Sequence, residues 1–112
     1  MAAFKISKVT GTWVVRIAGN VIGETREALF LDEAGLDPVI YFPTASLAME
    51  LLESSTTQTQ CPDKGTARYY SFSSPDASLP DIAWSYDDAM PDAVRLSDHL
   101  AFDTKRATIE EL

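Results

Sequence analysis

Short β-branched and aromatic runs, each closed by turn-forming residues before a long helix could develop, constrain this chain more than any other feature. Thr12–Ile17 (TWVVRI) is the first, and Gly19-Asn20 supplies a turn before Val21–Thr25. Glu27–Asp32 (EALFLD), a turn over Glu33–Asp37 and Pro38–Phe42 (PVIYF) follow. Two apolar runs joined by a Gly-containing loop are a hairpin signal. Pro43 then suits the first turn of a helix, and Thr44–Leu52 contains good helix formers. One helix of about ten residues is predicted there, burying Leu47 and Leu51 with Met49 and Leu52 beside them. Gln58–Cys61 leads into a tight turn at Pro62-Asp63-Lys64-Gly65, and Thr66–Phe72 returns as a strand. Ser73–Leu79 reads as a loop, and Asp87–Asp92 as another. Between them Asp81–Tyr86 reads as a strand whose period of two puts Ile82, Trp84 and Tyr86 on one face. Ala93–His99 predicts one or two helical turns, before closing strands near Leu100–Asp103 and Ala107–Glu110. The class is mainly β, with one or two short helices.

Length and charge narrow the field. A chain of 112 residues is expected to form one domain, 1–112. Roughly two-thirds of its unfolded surface is then hidden on folding. A hydrophobic content of 46% argues against disorder. No apolar run reaches the ~18 residues of a membrane span. The opening MAAFKISKVT lacks the apolar centre of a signal peptide, so a soluble, cytoplasmic protein is expected. Nine basic residues against seventeen acidic ones, a net charge of −8, tell against nucleic acid, which rewards a basic stripe. From Tyr69 to Val94 there is no basic residue, while Asp76, Asp81, Asp87, Asp88 and Asp92 lie inside. A solvated face is the plain account of that stretch; a metal or a basic partner is the sharper one. Cys61 is the only cysteine, which excludes an internal disulfide and a multi-thiolate zinc site. His99 is the only histidine, so a Cys-His or Ser-His-Asp arrangement requires that it reach the nucleophile. No metal or cofactor is implied.

The most informative stretch is Cys61-Pro62-Asp63-Lys64-Gly65-Thr66-Ala67-Arg68-Tyr69. The thiolate is the reactive form of cysteine, and a nearby cation favours it. Lys64 lies three residues on, across a Pro/Gly turn, where its ammonium can fold back toward the sulfur. Gly65 allows a positive φ and exposes its N–H to a ligand anion. Tyr69, Trp84 and Tyr86 would wall the same place with flat surfaces carrying polar tips. The plainer account is a buried cysteine in a well-made hairpin turn, with Trp84 and Tyr86 as core residues.

Tyr41-Phe42-Pro43, the Cys61–Tyr69 element, Ala83-Trp84-x-Tyr86 and His99-Leu100-Ala101-Phe102-Asp103 together resemble the bacterial domain-of-unknown-function family 427, over roughly 16–109. The resemblance implies a compact fold similar to the β-tent, in which two small antiparallel sheets meet at an angle. Many β-tent proteins tie hairpin tips with a four-thiolate zinc. Cys61 alone cannot do so, and packing is expected in its place. The family carries no established activity, although it has been labelled nucleotidyltransferase-like. Such enzymes place a Gly-Ser turn before carboxylates spaced D-x-D. This chain has Asp87-Asp88, adjacent and without that turn, and no phosphate loop.

Three functions are compatible with these residues. The first is a small-molecule-binding or enzymatic pocket. Cys61 would be its nucleophile or redox thiol and Lys64 its stabilising charge, with Arg26, Tyr41, Gly65, Tyr69, Trp84 and Tyr86 binding the ligand. Arg26 would clamp a carboxylate or phosphate; its ordinary alternative is an ion pair with Glu24 or Glu27. The second is a non-catalytic interaction module, whose exposed strand edges are also compatible with a homodimer. The third is nucleotidyl transfer through Asp87, Asp88 and a divalent metal.

Overall fold

Ten strands form in the structure, a computed structural model that describes residues 3–112. They are β1 (Phe4–Lys8), β2 (Trp13–Ile17), β3 (Asn20–Thr25), β4 (Leu29–Glu33), β5 (Val39–Pro43), β6 (Leu52–Cys61), β7 (Gly65–Ser74), β8 (Ala77–Ala89), β9 (His99–Phe102) and β10 (Ala107–Glu111). Seven make one antiparallel sheet in the order β1-β4-β5-β9-β8-β7-β6, and three make a second in the order β10-β2-β3. The mainly-β class and the two antiparallel sheets expected above are what the chain forms. No helix among the described residues is long and apolar enough to cross a membrane.

Strand alternation distributes the apolar residues between two cores. Ile40 and Phe42 of β5, with Leu100 and Phe102 of β9, join Val15, Ile17 and Ile22 of the smaller sheet in the larger core. Their strand neighbours Tyr41 and Ala101 point the other way, into a second cluster with Leu29, Leu31, Ala67 and Tyr86. The wide sheet is therefore buried on both faces at its centre. In the larger core Phe42 and Phe102 meet edge to face, their ring centroids 6.0 Å apart.

The helix predicted over Thr44–Leu52 does not form. Two single 3-10 turns, Thr44–Ser46 and Met49–Leu51, flank an extended Leu47 whose backbone bridges Gly23. The Ala48 N–H donates to the Ile22 carbonyl at 2.8 Å, so pairing with β3 outweighs local helix propensity. Leu52 then opens a ten-residue strand at the outer edge of the sheet. Both predicted loops are also shorter than expected. Only Pro75-Asp76 separates β7 from β8, and β8 continues through Asp87 and Asp88 to Ala89. The last 3-10 helix, Pro91–Leu96, begins two residues before the predicted turns.

Two irregularities redirect β8. Tyr70 pairs with Ala83 but Phe72 with Leu79, so two steps along β7 face four along β8. Asp81 sits in that surplus with φ +52 and receives the Arg106 guanidinium on its carbonyl at 3.2 Å. A further shift lies opposite Thr66–Arg68. Consequently Ile82 does not share a face with Trp84 and Tyr86. It joins Ala83 in the larger core, while Trp84 and Tyr86 belong to the second cluster. A bulge breaks the simple period of two, and the sequence periodicity could not show where.

Candidate functional site

The second cluster opens to solvent as a cleft of about 350 Å³ lined by Leu31, Glu33, Val39, Tyr41, Lys64, Tyr69, Asp81, Trp84, Tyr86 and Asp103. Four strands build it. Leu29 and Leu31 of β4 oppose Tyr41 and Val39 of β5, and the same alternation carries Glu33 onto the Leu31 face. On β7 and β8, Tyr69 and Trp84 are cross-strand partners, their rings tilted at 42° with centroids 6.3 Å apart. β9 stands between β5 and β8 and turns Ala101 to this side, and that small side chain leaves room for the Trp84 indole N–H to reach the Tyr41 hydroxyl at 3.2 Å. The Tyr69 hydroxyl is 3.1 Å from that of Thr59.

Lys64 closes one end. Its ammonium donates to Glu33 at 2.7 Å, and the Phe4 and Tyr86 rings lie 5.5 and 5.9 Å away. Phe4 faces Glu33 across the β1–β4 pair, so the ion pair and one of its aromatic walls share a register. The Lys64 side chain is only 8% exposed, against 23% for Glu33, so the carboxylate is the accessible member. Burial works against the Lys64 charge, but the Glu33 carboxylate outweighs it and holds the ammonium above the ordinary lysine pKa. Burial also raises the Tyr41 phenol, with the Trp84 N–H pulling the other way, and raises the Tyr86 phenol against the pull of Lys64.

These three shifts point upward together, and the consequence for stability has one sign. Above about pH 10, the ordinary range of tyrosine and lysine, the unfolded chain gives up protons that the folded protein keeps. Their stabilisation is complete below that pH and is lost as pH rises through the folded values. Melting temperature should therefore hold flat up to about pH 10 and then decline. The decline should be shallower in Tyr41→Phe. A wild-type profile that stays flat to about pH 11.5 contradicts this account.

Not every residue singled out in the sequence arrives here. Tyr41, Lys64, Tyr69, Trp84 and Tyr86 do. Cys61 packs against the second cluster without lining the cleft, and Lys64 directs its charge to Glu33, so the ammonium is not the thiol's hydrogen-bond partner. Gly65 has φ +113, and a Cβ added there would meet the Asp88 carbonyl. It serves close approach of β7 and β8. Arg26 is exposed on a separate surface groove with Lys8, Val9 and Glu27. Neither of its proposed ion pairs forms among the described residues, Glu27 being engaged by Lys8. His99 places its ring Nδ1 2.8 Å from the Ser97 carbonyl. Asp87 accepts from the Asp98 N–H and the Ser85 hydroxyl, while Asp88 holds Arg68 at 3.0 Å. The two carboxylates are thus engaged separately, and no group of three or more metal-ligating side chains occurs among the described residues.

Glu33 is the main residue that sequence reasoning missed. Leu29, Leu31 and Glu33 repeat at a spacing of two, and extending the predicted strand one residue past Asp32 would have placed it.

A family model described as a domain of unknown function (DUF427) matches residues 5–111, a wider span than the motifs alone covered. No curated protein matches the chain.

Proposed function

The chain belongs to the DUF427 family, and we propose that it binds a small molecule in the cleft walled by Tyr41, Tyr69, Trp84 and Tyr86. One observation carries this reading. Aromatic side chains from three strands far apart in sequence converge with a buried Lys64–Glu33 pair on one cleft of about 350 Å³. That volume lies within the ~300–1,000 Å³ usual for ligand sites, which combine apolar walls with a few fixed polar groups. Tyr41 supports it further. Its hydroxyl accepts from Trp84, which orients the phenol and leaves its own proton for an incoming acceptor. Binding, rather than thiol chemistry, is favoured because Cys61 does not line the cleft and Lys64 is committed to Glu33.

The test is a fragment library followed by the indole N–H resonance of Trp84. Ligands should move that signal, and Tyr69→Ala should weaken them about tenfold by removing a stacking wall. Cys61→Ser should leave affinity unchanged. A library that never moves the Trp84 signal contradicts the proposal, and loss of turnover or binding in Cys61→Ser would restore the thiol to the site.

A further inference from the structure

A second cleft of about 420 Å³ adjoins the first. Trp13 of β2 and Ile109 of β10 form its wall on the smaller sheet, while Val39, Ile40, Trp84 and Phe102 form the wall on the larger one. It is the mouth of the space between the two sheets. Val39, Trp84 and Asp103 line both clefts, so the two meet along those side chains. Trp84 is the shared partition, half-buried and fixed by its hydrogen bond to Tyr41.

The two compartments differ in chemistry. The first presents hydroxyls, aromatic faces and the Glu33 carboxylate; the second is apolar except for Asp37, Asp103 and Thr104. Their charged lining comprises four carboxylates, Glu33, Asp37, Asp81 and Asp103, and one cation, Lys64. Lys64 is offset by Glu33 and Asp103 by Arg106 at 2.9 Å. Asp37 and Asp81 have no ion-pair partner among the described residues, which leaves the paired clefts with net negative charge. Asp81 already accepts from the Thr57 hydroxyl at 2.7 Å and lies near Arg106, yet carboxylates still outnumber cations around the clefts. Electron-rich aromatic faces beside that excess attract a cation, and a concave acidic surface focuses the field. An anionic ligand would meet Glu33 before the buried ammonium.

We propose that the ligand is an organic cation on an apolar body, its charged head held among Tyr69, Trp84 and Asp81 and its tail laid past Trp84 into the cleft between the sheets. This rests on the binding reading above and names the ligand class for the same site. The chain's net charge of −8 favours capture of a cation over a matched anion at long range as well.

Trp13 and Trp84 are the only tryptophans, so two indole N–H resonances report the two compartments, Trp84 on both and Trp13 on the second alone. The probes are butyl-, hexyl- and octyltrimethylammonium, below micelle formation, with the carboxylates and alcohols of equal chain length as controls. The ammonium series should bind about fivefold or more tighter than the carboxylates. Each methylene added in the second cleft should strengthen binding about fourfold. Short members should move Trp84, and long ones Trp84 and Trp13 together. Asp37→Asn with Asp81→Asn should erase most of the preference for cations. Asparagine tolerates the left-handed backbone at position 81, so the fold is kept.

Carboxylates that bind as well as ammoniums overturn the charge assignment. Affinity that ignores chain length, or a Trp13 signal that never moves, overturns the two-cleft occupancy while leaving the first cleft as a binding site. If no ammonium binds but library fragments move Trp84, the ligand class is wrong and the binding reading stands. If neither moves Trp84, both fail.

Discussion

Replacing Gly65 by alanine is expected to cost about 3–5 kcal/mol, which for a domain of this size lowers the melting temperature by roughly 15 °C or abolishes soluble expression. Two effects combine. The residue has φ +113, a conformation that side chains rarely adopt, and a Cβ there would sit 2.2 Å from the Asp88 carbonyl oxygen. Ala89 Cα and Met90 N follow at 3.1 Å, so backbone rather than a flexible side chain would have to move. Gly65 pairs with Cys61 on one side and Ala89 on the other, and the Lys64 carbonyl accepts the Met90 N–H at 2.9 Å. Any displacement is therefore carried into the segment that seats Lys64. Gly19→Ala separates the two effects, since Gly19 has φ +80 but a methyl added there would meet nothing within 4 Å. It should cost only about 1–2 kcal/mol. Chemical denaturation of the two variants decides the matter: equal losses would mean that the approach of β7 to β8 contributes nothing.

Glu33→Gln is the second large loss, expected at about 3 kcal/mol, or close to 10 °C in melting temperature. Glutamine keeps the shape and an acceptor, but the Lys64 ammonium, on a side chain 8% exposed, loses its Glu33 countercharge. The figure is at the low end for a broken buried pair because Glu33 itself keeps 23% of its surface. Lys64→Met should cost less, since the carboxylate left behind still reaches water. Combining Lys64→Met with Glu33→Gln should recover most of the loss, because an apolar side chain among Phe4 and Tyr86 needs no partner. The pH response supplies an independent check. With Glu33 neutral, burial becomes the leading influence on Lys64 and depresses its pKa, so stability in Glu33→Gln should rise with pH below the ordinary lysine value of about 10.4 as the ammonium discharges. A double-mutant cycle with no coupling between positions 33 and 64 would show the pair to be energetically idle.

Much of the fold was legible in order and class. Trp13–Ile17, the β4–β5 hairpin, the Cys61–Gly65 turn and the returning β7 all follow from alternation and turn chemistry, which operate over a few residues. The misreadings have one source. Thr44–Leu52 has helix-forming residues, but the backbone of Leu47 and Ala48 finds its partners on β3, more than twenty residues earlier. Ile82 follows a period of two in sequence and departs from it where Arg106 and Ser71 hold the Asp81 bulge.

For the candidate site the division is sharper. Composition and the aromatic and Cys61–Tyr69 motifs determined which flat, polar-tipped side chains were available, and a lone cysteine and a lone histidine already limited thiol and triad chemistry. Assembly was decided elsewhere. Inserting β9 between β5 and β8 sets Tyr41 within reach of Trp84, and pairing β1 with β4 brings Phe4 beside Glu33 and Lys64. The same packing carried Arg26 to another surface. Strand periodicity is local and is written in each segment, whereas the choice of neighbouring strand depends on how both faces of the wide sheet are buried at once. Only the tertiary structure could therefore pair Lys64 with Glu33 and open two clefts on either side of Trp84.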